Sequence, residues 1–266
     1  MALKFCSLSS GSSGNCYLVG SDNTYILIDA GISAKKITDS LSELSLLPED
    51  ISGILITHEH SDHIKGVDVL SKKYRLPVYA NEKTAGEMEK LCRQWDNMDV
   101  NIFASNCPFD IGDLNIKAFP VSHDAADTVG FSVINGHSKL CTATDTGCIS
   151  EEILQEMYSA DLIILEANHD EDILKMGRYP WFLKQRILSD CGHLSNSAAG
   201  EVIARIIRTG SGPKRFLLAH LSKENNFPEM AYQTILNILE SYNIFPGDRF
   251  EIDLLQRDEI SGVYLL

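Results

Sequence analysis

Within six positions the chain places three histidines and an aspartate: His58-Glu59-His60-Ser61-Asp62-His63. Imidazole and carboxylate together are ligands for Zn²⁺, Mn²⁺ or Fe²⁺. Four such groups on one tight turn point in different directions, so a single ion does not satisfy them all. The spacing predicts two metal ions, and paired ions serve hydrolysis. Burying these four side chains without a metal would be costly. The zinc-protease pattern HExxH does not apply, because the position four after His58 is Asp62.

Such a string needs a rigid support. The apolar run Ile51-Ser52-Gly53-Ile54-Leu55-Ile56 precedes it and reads as a buried strand that delivers the string at its C-terminal tip. The arrangement recurs along the chain. Asp29 ends Ile26-Leu27-Ile28, His123 follows the run at 116–121, Asp145 follows 139–144, and His220 follows 215–219. Each is a polar residue behind an apolar strand, where a sheet edge builds a site. Periodicity predicts helices over 33–45, 64–74, 82–95, 150–159, 170–176, 180–189, 195–209 and 228–241. Further strands are predicted over 3–8, 16–20, 24–29, 77–80, 100–104, 128–134, 161–166, 249–255 and 262–266. Strand pairs followed by alternation with helices, in both halves, predict one domain over 1–266 with two sheets inside and helices outside.

Composition narrows the function classes. A net charge of −14 disfavours a broad electrostatic grip on nucleic acid, though a local basic channel remains open. No apolar run approaches the ~20 residues that span a bilayer. The first residues lack the basic start and apolar stretch of a signal peptide, so a cytoplasmic protein without a membrane is expected. The seven cysteines include no CxxC pair, which argues against a thiolate zinc site. No GK[ST] follows the glycine-rich turn, so there is no Walker loop.

The order HxHxDH, then isolated His, Asp and His at later strand ends, resembles the metallo-β-lactamase superfamily. The segments 4–16, Glu166-Ala167-Asn168-His169-Asp170, Gly192-His193-Leu194-Ser195-Asn196 and His220-Leu221-Ser222-Lys223-Glu224-Asn225 resemble its YycJ, WalJ or VicX family of exonuclease-like proteins. The resemblance implies an α/β fold, the four-layer αββα sandwich. At 266 residues there is no room for the β-CASP insertion of ribonuclease J-like nucleases. By motif, His58, His60 and His123 would hold the first metal. Asp62, His63 and His220 would hold the second, and Asp145 would bridge both. The two divalent ions would be Zn or Mn, with Fe as a further option, and an activated water would be the nucleophile. Asp62 could also orient that water. Asp29 would orient a ligand histidine. The segment at His193 resembles ribonuclease Z, where a comparable histidine helps protonate the leaving group. Glu166 or His169 would be its partner.

The implied activity is 5′-to-3′ exonucleolytic phosphodiester hydrolysis, with DNA as the partner. No obligate protein partner can be inferred. Two alternatives stay open: a phosphodiesterase for a small cyclic or nucleotide-derived substrate, and a regulatory signalling protein with a vestigial metal site. Two segments bear on substrate. The turn Ser9-Ser10-Gly11-Ser12-Ser13-Gly14-Asn15 is either a backbone nest for phosphate, with Ser10, Ser12 and Ser13 as candidates, or a plain hairpin loop. Residues 175–186 carry four bases, no acids and three aromatics. They form either a lip that holds a strand by charge and stacking, Arg178 included, or an amphipathic helix with Trp181 and Phe182 in the core.

Overall fold

The apolar runs become strands and the amphipathic stretches become helices in a computed structural model that describes residues 2–209, 214–247 and 249–266. In chain order these are β1 (Lys4–Ser9), β2 (Cys16–Gly20), β3 (Tyr25–Ile28), α1 (Ala34–Glu43), β4 (Ile51–Leu55), α2 (Ser61–Ile64), α3 (Val67–Tyr74), β5 (Val78–Asn81), α4 (Glu82–Leu91), β6 (Val100–Phe103), β7 (Phe109–Ile111), β8 (Leu114–Pro120) and β9 (Val129–Asn135). Then come β10 (Ser138–Ala143), α5 (Glu151–Tyr158), β11 (Leu162–Glu166), α6 (Glu171–Met176), α7 (Trp181–Ile187), α8 (Asn196–Thr209), β12 (Lys214–Ala219), α9 (Pro228–Ser241), β13 (Phe250–Leu254) and β14 (Tyr264–Leu265). Helices flank two mixed sheets. No helix of the described residues is long and apolar enough to cross a membrane.

Contacts divide the chain into two compact units. The first comprises Met1–Pro120, Ala125–Ser138 and Gln256–Leu266, and the second Val121–Asp124 and Lys139–Leu255. In the first unit β14, β1, β2 and β3 pair antiparallel, while β3, β4, β5 and β6 run parallel. The strands β7, β8 and β9 form an antiparallel meander. The buried faces of α1, α3 and α4, through Ile37, Leu41, Val67, Leu70, Ala85 and Met88, join Ile54, Ile56 and Val78 in one core cluster. Side-chain caps start these helices where the sequence supplies them: Ser33 accepts from Lys36 N, and Asn81 accepts from Thr84 N.

In the second unit β10, β11, β12 and β13 are all parallel. Parallel strands are covered on both faces, and β11 is accordingly buried throughout. Parallel pairing also brings the C-terminal ends of neighbouring strands to one edge. That is where open α/β sheets bind ligands.

Three local expectations are corrected. The helix expected over 64–74 is two helices, α2 and α3, broken at Gly66. There the chain makes a close approach, with Gly66 N donating to Ala30 O at 2.7 Å. A Cβ at that position would lie 2.6 Å from Ile32 O, so only glycine seats the turn against 30–32. The helix expected over 82–95 stops at Leu91, with Cys92 extended. Strand β7, three residues long, had no sequence signal of its own and forms through its pairing with β8. The core reading of Trp181 and Phe182 also fails: they are 64% and 73% exposed.

Candidate metal centre

In the first unit the string follows β4. Asp29, at the end of the adjacent parallel strand β3, reaches across to it. Its Oδ1 accepts from Thr57 N at 2.9 Å, and its Oδ2 accepts from the Thr57 hydroxyl at 2.8 Å. The same Oδ2 accepts from His63 Nδ1 at 2.7 Å. Because the Thr57 hydroxyl donates to Asp29, its oxygen accepts from His58 Nδ1, 3.0 Å away. One buried carboxylate thus sets the ring orientation of two histidines, His63 directly and His58 through Thr57. Thr57 was not singled out from sequence. The only signal available was a hydroxyl immediately before the string.

The rings of the string converge. His58 and His60 lie 4.6 Å apart between centroids, His58 and His63 4.0 Å, and Asp62 Oδ2 is 3.7 Å from His63 Nε2. Asn15, the last residue of the Ser/Gly turn, holds the string from the other side. Its backbone N donates to Asp62 O at 2.8 Å, and its Nδ2 donates to His63 Nε2 at 3.2 Å. Within that turn Ser10 is buried with its hydroxyl 3.0 Å from Tyr17 OH, whereas Ser12 and Ser13 are exposed.

In the second unit the tips of β10, β11 and β12 carry Asp145, Glu166 and His220. Asp145, Glu166, His193 and His220 each offer a ligand-type atom, and these atoms lie within 4.8 Å of one another. Glu166 is fully buried and organises the group. Its Oε1 accepts from His193 Nδ1 at 2.8 Å and from His220 Nδ1 at 2.7 Å. Its Oε2 accepts from Thr146 N at 2.9 Å and Leu194 N at 3.3 Å. With both oxygens so committed, Glu166 fixes the His193 and His220 rings. Of the two partners expected for His193, it is Glu166 that takes the ring. His169 is buried beside Ser195, and its ring nitrogens have no hydrogen-bond partner among the described residues. His123 donates from Nδ1 to Gly192 O at 3.1 Å, with Nε2 3.7 Å from Asp145 Oδ1. Arg178 lies on the surface between α6 and α7.

Charge follows the same pattern. Burial pulls the His193 imidazolium down, but the Glu166 carboxylate, helped by Asp145 and Asp124, outweighs it and holds His193 well above the usual imidazole range. Burial would push Glu166 up, yet His193 and His220 hold it well below the usual carboxylate range. Burial lowers His123, and it lowers His169 to about 4.

The donor set fits divalent metal on a structural ground. In His58, His123 and His220 the Nδ1 proton is engaged by an oxygen, so the lone pair sits on Nε2, the nitrogen offered to an ion; in His63 the Nε2 lone pair accepts from Asn15 Nδ2, a bond that an ion there would replace. Asp29, Asp145 and His220 also share a backbone feature, a positive φ of 59°, 54° and 55°. For residues with a Cβ this conformation costs about 1 kcal/mol or more each. Local reversals of this kind concentrate where strand ends carry function.

A profile of the Beta-lactamase superfamily domain matches residues 24–221. The chain belongs to the metallo-β-lactamase superfamily. It is 43% identical over 252 residues to the exodeoxyribonuclease YycJ of Bacillus anthracis, covering 95% of each chain. It is also 43% identical over 254 residues to the exodeoxyribonuclease WalJ of Streptococcus pneumoniae, covering 95% of this chain and 94% of that one. Within the superfamily it therefore belongs with YycJ and WalJ, as its motifs predict, and it is a metal-dependent hydrolase. The metallo-β-lactamase fold protein YhfI of Bacillus subtilis superposes with a TM-score of 0.75 at 17% identity, covering all of both chains. Human tRNase Z, short form, gives 0.64 at 19% identity, covering 98% of this chain and 99% of that one. These two likenesses show the superfamily's α/β sandwich fold.

Proposed function

We propose that this metallo-β-lactamase is a dinuclear phosphodiesterase, a 5′-to-3′ exonuclease acting on DNA in the cytoplasm. The observation that carries the reading is the Glu166 clamp, which holds a partly exposed histidine, His193, and a ligand-type histidine, His220, on one carboxylate oxygen. The 43% identity to proteins named exodeoxyribonucleases supports it. The two units would act as one catalytic domain. The proposed ligands are His58, His60 and His123 for one ion, Asp62, His63 and His220 for the other, and Asp145 for both. Two divalent ions, Zn or Mn, would supply Lewis acidity at the scissile phosphate and lower the pKa of the attacking water.

The chain's own residues do the rest. His193 is 22% exposed at its side chain, and Glu166 fixes its Nδ1 proton. Its Nε2–H is then the proton donor to the departing oxygen, and Glu166 stabilises the charged ring before transfer. Asp62 orients the attacking water. Asp29 would keep His63 in its ligating tautomer, and Ser12, Ser13 and Arg178 would contact the substrate.

Incubating metal-replete protein with 5′-labelled duplex DNA, single strands and bis-p-nitrophenyl phosphate tests this reading. Stepwise loss of nucleotides from the 5′ end is expected, and absence of any phosphodiester cleavage would overturn it. Cleavage of the small ester alone would favour a small phosphodiester substrate, a reading the net charge of −14 supports. His193→Ala should slow turnover about 10²- to 10⁴-fold with metal content intact. Lost metal in that variant would instead make His193 a ligand.

A further inference from the structure

We propose that Trp181 and Phe182, flanked by Arg178, form a stacking platform for unpaired bases of the substrate strand. The proposal rests on the nuclease reading and adds to it the form of the substrate: a strand end whose bases are splayed out of the duplex.

Two large aromatics in succession open α7, and both face solvent at 64% and 73% exposure. Solvent-facing tryptophan and phenylalanine at adjacent positions gain nothing from the fold, so an apolar core role does not account for them. The segment that carries them is held in place. Lys184 is buried, and its Nζ donates to Lys175 O at 2.6 Å and Gly177 O at 2.7 Å, tying α7 to the end of α6. Lys184 is therefore a brace and not part of a basic lip. Two more of the segment's four bases are also committed, Lys175 to Glu171 at 2.9 Å and Arg186 to Asp124. Arg178 is exposed and has no ion pair among the described residues. A single exposed guanidinium beside two exposed rings is the combination that holds a strand by charge and base stacking.

Position favours a strand over other occupants. The far end of α7 reaches the Glu166 cluster: Ile187 O accepts from His193 N at 3.0 Å, and Arg186 is paired with Asp124, whose Oδ1 is 3.4 Å from His123 Nε2. From Trp181 to Ile187 the helix rises about 9 Å. Stacked bases rise ~3.4 Å each, so the length of α7 alone corresponds to about three stacked nucleotides. In a chain of net charge −14, an exposed cation beside exposed rings complements a polyanion.

The test compares binding of two phosphorothioate-linked strands, which resist cleavage, to the metal-loaded protein. One carries thymines throughout and the other has abasic sites at its first six positions. The base-bearing strand should bind about ten-fold more tightly or better. In Trp181→Ala/Phe182→Ala this gap should close, with the melting temperature unchanged because both side chains are exposed. Arg178→Ala should weaken both strands alike and reduce the salt dependence. Equal affinity of wild type for the two strands overturns the platform, as does a gap that survives the double substitution. A concentration-dependent dimer that the double substitution abolishes, with the gap preserved, would assign the rings to a second copy. If DNA is degraded but no gap is seen, only the platform falls. If DNA is not degraded at all, the nuclease reading falls with it.

Discussion

Glu166→Gln is expected to lower metal affinity about 10- to 100-fold and to cut turnover further than that loss explains. The reason lies in the donors around the carboxylate. Four N–H groups converge on Glu166, from His193, His220, Thr146 and Leu194. A glutamine of the same shape replaces one acceptor oxygen with an NH₂. Whichever way it turns, that NH₂ faces two donors. Each buried donor left unmatched costs about 1–3 kcal/mol. With the NH₂ toward Oε1's partners, the rings of His193 and His220 lose their fixed tautomer; with it toward Thr146 and Leu194, two backbone donors are left unmatched and the clamp is loosened. Metal titration followed by calorimetry, with kcat measured at saturating metal, separates the two losses. Unchanged stoichiometry, affinity and kcat together would remove Glu166 from its assigned role. Glu166→Asp keeps the charge but shortens the reach, and should recover less than a tenth of the activity.

Gly31→Ala is expected to be the most damaging small substitution in the first unit. Gly31 N donates to Asn15 O at 2.8 Å, which places the glycine against both Asn15 and the string. A Cβ there would sit 1.6 Å from Asp62 O, 2.2 Å from Asp62 C and 2.7 Å from Asn15 N. All three are backbone atoms, so no side-chain rotation relieves the clash. The turn holding His58 to His63 must shift, at a cost of about 3 kcal/mol or more. At about 2–4 °C per kcal/mol for a chain of this size, the melting temperature should fall by roughly 6 °C or more. Metal content should fall with it. Gly86→Ala is the control: it lies inside α4, with nothing within 4 Å of the added Cβ, and should raise stability slightly. A Gly31→Ala protein with normal melting and full metal would mean that the approach is more accommodating than the contacts imply.

Much of the site was legible because metal ligation demands particular residue types close together. The string at 58–63, and polar residues immediately behind apolar strands, marked Asp29, His123, Asp145 and His220 as candidates before any fold was known. The supporting shell was not legible. Thr57 and Asn15 are ordinary residues whose hydrogen bonds to the string depend on where β3 and the Ser/Gly turn come to rest. The choice between Glu166 and His169 as partner of His193 was likewise open. It depends on which side chain β11 points at the ring, and Oε1 of Glu166 takes it.

The segment at 175–186 marks the boundary most clearly. Its composition of bases and aromatics was plain in the chain, but composition is indifferent to direction. The same residues describe a buried amphipathic helix or an exposed platform. Tertiary structure decided it by burying Lys184, whose ammonium is matched by two carbonyls, and leaving Trp181 and Phe182 in solvent. Residue type and local spacing were enough for the fold family and for a divalent-metal donor set, because coordination chemistry and strand–helix patterning are local properties of a chain. Only the tertiary structure decided which groups hold the histidine rings and which aromatics are left in solvent, because both depend on contacts between residues far apart in the chain.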